Sequence, residues 1–217
     1  MTEVTGGGQY APGPAGRGRY HHGDLPDALV DTAIALIGER GAAAFSMAEA
    51  SRRLGVAASA PYRHFADRDA LLAAVAVRAA GLLGELLGQQ AASGPPEQRL
   101  AAAAETYVRF ADEHRALFQA LAGSGLDKDR HPEIGLAAQP ISAAFLSPAA
   151  ELADGDQAAA ARLVSAIVAT AHGHAMLMLD GTFGSGQQRA DAAGQAATAT
   201  LALIAGRDAL SRHRAFG

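Results

Sequence analysis

The sequence has no cysteine and no tryptophan among its 217 residues, and Lys128 is its one lysine. The lack of cysteine excludes disulfides, cysteine-ligated zinc and a thiol nucleophile. The chain also lacks the G-x-S-x-G, phosphate-loop and H-E-x-x-H patterns of common hydrolases, nucleotide-binding proteins and zinc proteases. His172 and His174 do not indicate a metal site, because residues two positions apart on a helix point in different directions. We therefore expect no catalytic residue, no metal and no cofactor.

Long apolar runs of the membrane-spanning kind are missing as well. No stretch of roughly 18 uncharged apolar residues has membrane-type flanks, and the N-terminus is not a charged start followed by an apolar block. We expect a cytoplasmic protein with no membrane partner.

Residues 1–18 are rich in glycine, proline and polar side chains, which predicts a disordered N-terminal arm. The net charge is −4, but residues 52–68 hold four arginines and one aspartate, which makes that segment locally basic.

Two short helical patterns joined by a glycine-centred turn lie between Phe45 and Phe65. Ser46 followed by Glu49 has the spacing of a capping box, in which each residue satisfies a free N–H group of the other, so a helix should begin at Met47. Gly55 should end that helix, because a left-handed backbone costs glycine nothing. This layout is typical of a helix-turn-helix.

A second short helix should begin near Ala57 or Ala58, because Pro61 is tolerated only in a first helical turn, where its missing N–H is not needed. Its surface would carry side chains suited to phosphate oxygens and base edges, namely Ser59, Tyr62, Arg63 and His64. We interpret it as the helix that reads DNA.

The rest of the chain also predicts helices, and no alternating stretch is long enough for a strand. A first helix with Pro26 in its opening turn should end near Gly41, and a long helix should run from Asp69 to the SGPP segment at 93–96. Further helical patterns cover residues 97–113, 115–122, 132–148, 155–180 and 187–206. The fold class is therefore all-α.

Several motifs resemble the DNA-binding domain of TetR-type transcriptional repressors. They are RYHHGDL at 19–25, LGV at 54–56, PYRHF at 61–65 and DRDALL at 67–72. The segment AHGHAMLMLDG at 171–181 is similar to the branch of that family with a Trp-His-Gly signature, although this chain has no tryptophan. The resemblance implies a three-helix helix-turn-helix head at 19–68 and a helical ligand-binding and dimerisation domain at 69–217.

The resemblance also implies a set of DNA contacts. Tyr62, His64 and Arg68 match family positions that lie on phosphates, and Arg63 is the candidate for a base edge. Arg17, Arg19 and Tyr20 form either an arm that reaches the DNA or simply a solvated tail. The complete predicted set is Arg17, Arg19, Tyr20, Ser46, Ala57, Ala58, Ser59, Ala60, Tyr62, Arg63, His64 and Arg68.

In the second domain, the resemblance predicts an apolar cavity for a small-molecule effector. The side chains that would surround it are Tyr107, Phe110, Phe118, Phe145, His172 and Met176, although plain core packing is the alternative for each. The last two long helices, with Ile167 and Leu201 on them, would form the four-helix interface of a homodimer, and the alternative is an ordinary core pair inside one subunit. The predicted function is a dimeric repressor released from palindromic double-stranded operator DNA by a small apolar effector. The alternative is an all-helical small-molecule-binding or enzymatic protein with a vestigial helix-turn-helix.

Overall fold

A computed structural model describes residues 25–90, 94–123, 125–127, 129–184 and 186–208, and these residues contain no strand. Two short 3-10 segments, Ala42–Ala44 and Pro61–Arg63, interrupt the α-helices of the head. The helices are α1 (Leu25–Arg40), α2 (Met47–Leu54), α3 (Arg68–Gln90), α4 (Pro96–Glu113), α5 (Arg115–Ala122), α6 (Pro132–Ala137), α7 (Gln139–Leu152), α8 (Gln157–Leu179), α9 (Gln187–Ala190) and α10 (Ala192–Ala205). The all-α prediction is confirmed.

The ends of α2 follow from its sequence. The Glu49 N–H donates to the Ser46 hydroxyl oxygen over 3.2 Å, and Gly55 adopts a left-handed backbone with φ of 66°. In the predicted capping box, the Glu49 carboxylate would also accept from the Ser46 N–H. In the structure it accepts from the Arg52 guanidinium instead. α2 is thus fixed at both ends by the predicted residues, through a simpler cap than expected.

The predicted second helix of the motif is wrong in form. Residues 57–64 close as successive three-residue turns, in which Ala60 N–H donates to Ala57 carbonyl, Arg63 to Ala60 and His64 to Pro61, over 2.9 to 3.2 Å. Pro61 has no N–H to donate to the Ala57 carbonyl, and that carbonyl accepts from the Ala60 N–H instead. The Phe65 N–H then donates to the Pro61 carbonyl four residues earlier over 2.9 Å, so the segment closes on one α-type turn.

α3 connects the head to the rest of the molecule. It begins at Arg68, one residue before the predicted start, and Asp67 caps it by accepting from the Ala70 N–H over 2.8 Å. Its first half packs against α1, and the helix continues between α4, α5, α6 and α7. We call the helices from α4 to α10 the body. One continuous core joins head and body, and the buried side chains in it include Leu29, Leu36, Leu72, Leu83, Phe110 and Phe118. The division into domains at residues 68 and 69 stays a prediction.

Two predicted helices are each divided in the structure. The pattern at 132–148 forms α6 and α7, which meet at Ala138. Pro140 accounts for the break, because it cannot donate to the Leu136 carbonyl and therefore starts a new helix. Residues 187–206, which contain no proline, also divide, into α9 and α10 at Asp191. α10 then packs against α4 and α8 to form the far end of the body.

α3 and α8 are both long and apolar enough to cross a membrane, judged by length and composition alone. Their burial differs, because 56% of the apolar window of α3 is buried inside the protein and only 33% of that of α8. Arg78 of α3 also pairs with Asp27 and Asp31 of α1, which ties it to the head. α3 is therefore a core helix, whereas α8 presents an apolar face outward.

Candidate nucleic-acid interface

The short segment between α2 and α3 presents three consecutive polar side chains to solvent. Pro61 is buried and anchors the turn, while Tyr62, Arg63 and His64 are exposed. The Arg63 guanidinium has no hydrogen bond or ion pair with any residue that the structure describes. Its charge is therefore available to a ligand outside the protein, which is what a contact to a phosphate or a guanine edge requires.

The other arginines of the basic segment are engaged within the head. Arg52 pairs with Glu49, and Arg53 donates two hydrogen bonds to the Glu39 carboxylate over 2.6 and 2.8 Å. The hydrogen bond from Arg53 holds the pKa of Glu39 below its ordinary value. Because exposed ion pairs contribute little stability, these arginines can exchange a carboxylate for a phosphate at small cost.

Arg68 has a structural role within the head, and its predicted phosphate contact stays a prediction. Its Nε donates to the Phe45 carbonyl over 3.0 Å and its Nη2 to the Ala42 carbonyl over 2.6 Å, while its Nη1 contacts the Asp69 carboxylate at 3.2 Å. The guanidinium thus joins the loop before α2 to the first residue of α3. Sequence reasoning missed this role because the two carbonyls lie more than twenty residues away along the chain.

The remaining predicted DNA residues form a surface of short side chains. Ala57, Ala58 and Ser59 are exposed and Ala60 is half-buried, so the backbone at the start of the turn can approach a duplex closely. Ser46 is exposed at the N-terminus of α2, where its hydroxyl oxygen accepts from Glu49 N–H. The predicted arm residues Arg17, Arg19 and Tyr20 lie outside the described residues.

The predicted effector residues separate into two groups. Tyr107, Phe118 and His172 form one cluster, with the Tyr107 and Phe118 rings 5.6 Å apart and the His172 and Phe118 rings 5.8 Å apart. Tyr107 hydroxyl and His172 Nδ1 share a hydrogen bond of 3.1 Å whose direction depends on the imidazole tautomer. Burial raises the pKa of Tyr107 to about 12, so the phenol stays neutral. Phe110 and Phe145 are fully buried in the core.

One expectation for the second domain needs correction, and another stays a prediction. Met176, predicted to contact an effector, is 46% exposed on α8, and its role stays a prediction. Ile167 was expected at a dimer interface but is completely buried within one subunit. The helical period places both residues on α8, but it cannot show which face the other helices cover.

Comparison with known proteins identifies the class of protein that this fold and surface define. Residues 29–75 match the profile of bacterial regulatory proteins of the tetR family. Residues 100–201 match a tetracyclin repressor-like C-terminal domain, which includes the segment around His172 and Gly173. Together the two profiles match more than half of the chain, and the chain therefore belongs to the TetR family. It is a DNA-binding transcriptional regulator, and family membership does not favour the enzymatic alternative.

Solved structures share this fold over most of their length. A protein of unknown function from Rhodococcus sp. RHA1 is 26% identical with a TM-score of 0.69, and the alignment covers 86% of this chain and 98% of that one. A tetR-family transcriptional regulator from Streptomyces coelicolor is 22% identical with a TM-score of 0.64, covering 89% of each chain. A tetR-family regulatory protein from Rhodococcus RHA1 is 17% identical with a TM-score of 0.62, covering 82% of this chain and 96% of that one. No curated protein matches the chain.

Replacing Arg68 should destabilise the head. Arg68→Ala removes one donor from each of the Ala42 and Phe45 carbonyls, of which Ala42 keeps the Phe45 N–H, and we expect a loss of about 1 to 3 kcal/mol in the free energy of unfolding, measured by urea denaturation. Arg68→Lys should recover only part of it, because an ammonium group lacks the planar fork that reaches both carbonyls. Arg63→Ala removes the same charge nearby and should change stability by less than about 0.5 kcal/mol. Equal losses in Arg68→Ala and Arg63→Ala would contradict the role assigned to Arg68.

Proposed function

We propose that the chain is a dimeric repressor whose two heads bind a palindromic operator and whose body binds a small effector that releases the DNA. The observation that carries this proposal is the exposed Tyr62, Arg63 and His64 surface directly before α3, the helix that also crosses the body. One head contacts few base pairs, so two-fold repetition is needed for specific control.

The outer face of α8 and α10 supports the dimer. Leu177 and Met176 of α8 and Leu201 of α10 are large apolar side chains exposed to solvent. Around them the exposed positions are small, which lets helices approach closely, and they include Ala161, Ser165, Ala169, Thr198, Ala202 and Ala205. Such a face suits a second copy of itself about a two-fold axis.

α3 supplies the connection between effector and DNA. Arg68 at its first turn holds the loop before α2, and the middle of the helix is buried among the helices of the body. An effector that binds one position of α3 better than another would move both heads of a dimer relative to each other. A hundredfold loss of operator affinity requires a coupling of about 2.7 kcal/mol between the two sites.

Substitutions on the turn should separate base reading from phosphate anchoring. Arg63→Ala should relax the preference at one base pair by about 1 to 3 kcal/mol, because a guanidinium reads a guanine edge with two hydrogen bonds. Tyr62→Phe and His64→Ala should instead weaken operator and scrambled DNA alike. Fluorescence anisotropy titrations on both duplexes distinguish these outcomes. Arg115→Ala removes an equal charge from the exposed start of α5 and should leave binding unchanged. If Arg63→Ala weakens both duplexes equally, Arg63 is a phosphate contact.

A charge on the outer face should prevent dimerisation. Leu201→Asp buries a carboxylate in an apolar interface, and we expect monomers at micromolar concentration with much weaker operator binding. Leu146→Asp is the matched control, because Leu146 on α7 is 43% exposed and Leu201 is 45% exposed. Sedimentation equilibrium measures both variants. A wild type that is monomeric at micromolar concentration, or a Leu201→Asp variant that stays dimeric, would contradict the proposed interface. Ile167→Asp is unsuitable, since it would disrupt the core of a single subunit.

A further inference from the structure

A groove of about 340 Å³ lies between the second half of α3, the start of α4 and α7. Its walls are mostly small and apolar, and they include Gly84, Gly88, Ala143, Ala144 and Pro148. The volume is at the lower end of what small-molecule sites occupy, which limits the ligand to a compact molecule. The groove is lined by none of the side chains that the sequence singled out for an effector.

Two glycines of α3 explain why the groove opens where it does. A Cβ atom at Gly84 would lie 3.0 Å from the Pro140 Cβ, so α3 and α7 touch at that point because there is no side chain. One helical turn later, a Cβ atom at Gly88 would meet nothing within 4 Å. The two helices therefore diverge between these positions, and the missing side chain of Gly88 leaves open space.

Arg99 of α4 is the cation of this groove. Its side chain is only 18% exposed, and its Nη2 donates to the Glu151 carboxylate of α7. Its Nε is buried and has no acceptor among the described residues. A guanidinium carries five N–H donors in a plane and matches a carboxylate with two parallel hydrogen bonds. Arg99 is therefore a largely covered cation whose hydrogen bonding is incomplete.

Glu151 is the residue that a ligand would displace. Its side chain is 51% exposed, so it can turn into water at small cost, whereas Arg99 is held among the helices. The hydrogen bond from Arg99 also keeps the pKa of Glu151 below its ordinary value, so the carboxyl group is ionised. A second carboxylate that enters along the groove competes with Glu151 for the same guanidinium.

We propose that the effector is a small carboxylate with an apolar chain, which lies in this groove with its carboxylate on Arg99 in place of Glu151. This assignment rests on the effector control described above and changes the expected effector class from purely apolar to anionic and amphipathic. A purely apolar ligand would leave the Arg99 Nε without an acceptor, whereas a carboxylate would supply one. Because α3 forms one wall, the ligand acts on the helix that leads to the head.

The proposal is tested by calorimetric titration of the DNA-free protein with octanoate and with octanol. These probes share a chain and differ in charge, and we expect octanoate to bind at least tenfold more tightly, with a Kd below about 1 mM. Glu151→Gln should strengthen octanoate binding severalfold, because it weakens the internal competitor. Arg99→Met should abolish the preference for octanoate over octanol.

A pair of glycine variants locates the site. Gly88→Leu fills the groove and should abolish octanoate binding, while Gly81→Leu on the same helix should leave it unchanged, since a Cβ atom at either position meets nothing within 4 Å. Both variants replace a helical glycine, so a general effect on α3 would appear in both.

Four results would overturn the proposal. The wild type could fail to bind octanoate or could bind octanoate and octanol equally. Glu151→Gln could bind octanoate more weakly than the wild type, or Gly88→Leu could bind it as tightly as the wild type. Operator affinity measured without either probe keeps the two proposals apart. Intact operator binding with no octanoate binding rejects the effector class alone, whereas octanoate binding without operator binding rejects the repressor function.

Discussion

The contact on which the head depends is the one between Arg68 and the loop that precedes α2. The Ala42 and Phe45 carbonyls belong to the short 3-10 segment before α2 and the residue that ends it, and Arg68 donates to both of them. Arg68 is also the first residue of α3, so these hydrogen bonds fix the loop, and with it the start of α2, against the long helix of the body. A movement of α3 is therefore also a movement of the DNA-facing surface.

The candidate DNA-facing surface is the short turn between α2 and α3. Gly55 ends α2 and Asp67 caps the start of α3, so the intervening turn is held at both ends. Within it, Pro61 is buried in a short 3-10 segment, and Tyr62 and Arg63 are exposed. Most of the neighbouring arginines pair with acidic or carbonyl groups, which explains how a chain of net charge −4 restricts its free positive charge to a narrow face.

The parts of this account that depend on nearby residues could be predicted from the sequence, and the parts that depend on distant contacts could not. Ser46 and Gly55 act within one helical turn, so their roles as cap and terminator are visible in the sequence and are confirmed. The partners of Arg68 lie more than twenty residues away, and Glu151 lies 52 residues from Arg99. A helical period likewise places Ile167 on a face but cannot show that the same subunit covers that face. The predicted DNA and effector residues remain predictions.

Head and body form one cooperative unit joined through α3. Native-state hydrogen exchange measures this cooperativity directly, because each amide reports the free energy of the opening that exposes it. We expect the hydrogen-bonded amides of α2 to open together with those in the first half of α3, within about 1 kcal/mol of each other. If α2 opens about 3 kcal/mol or more below α3, head and body are not one unit, because a head that unfolds by itself cannot be positioned by the body.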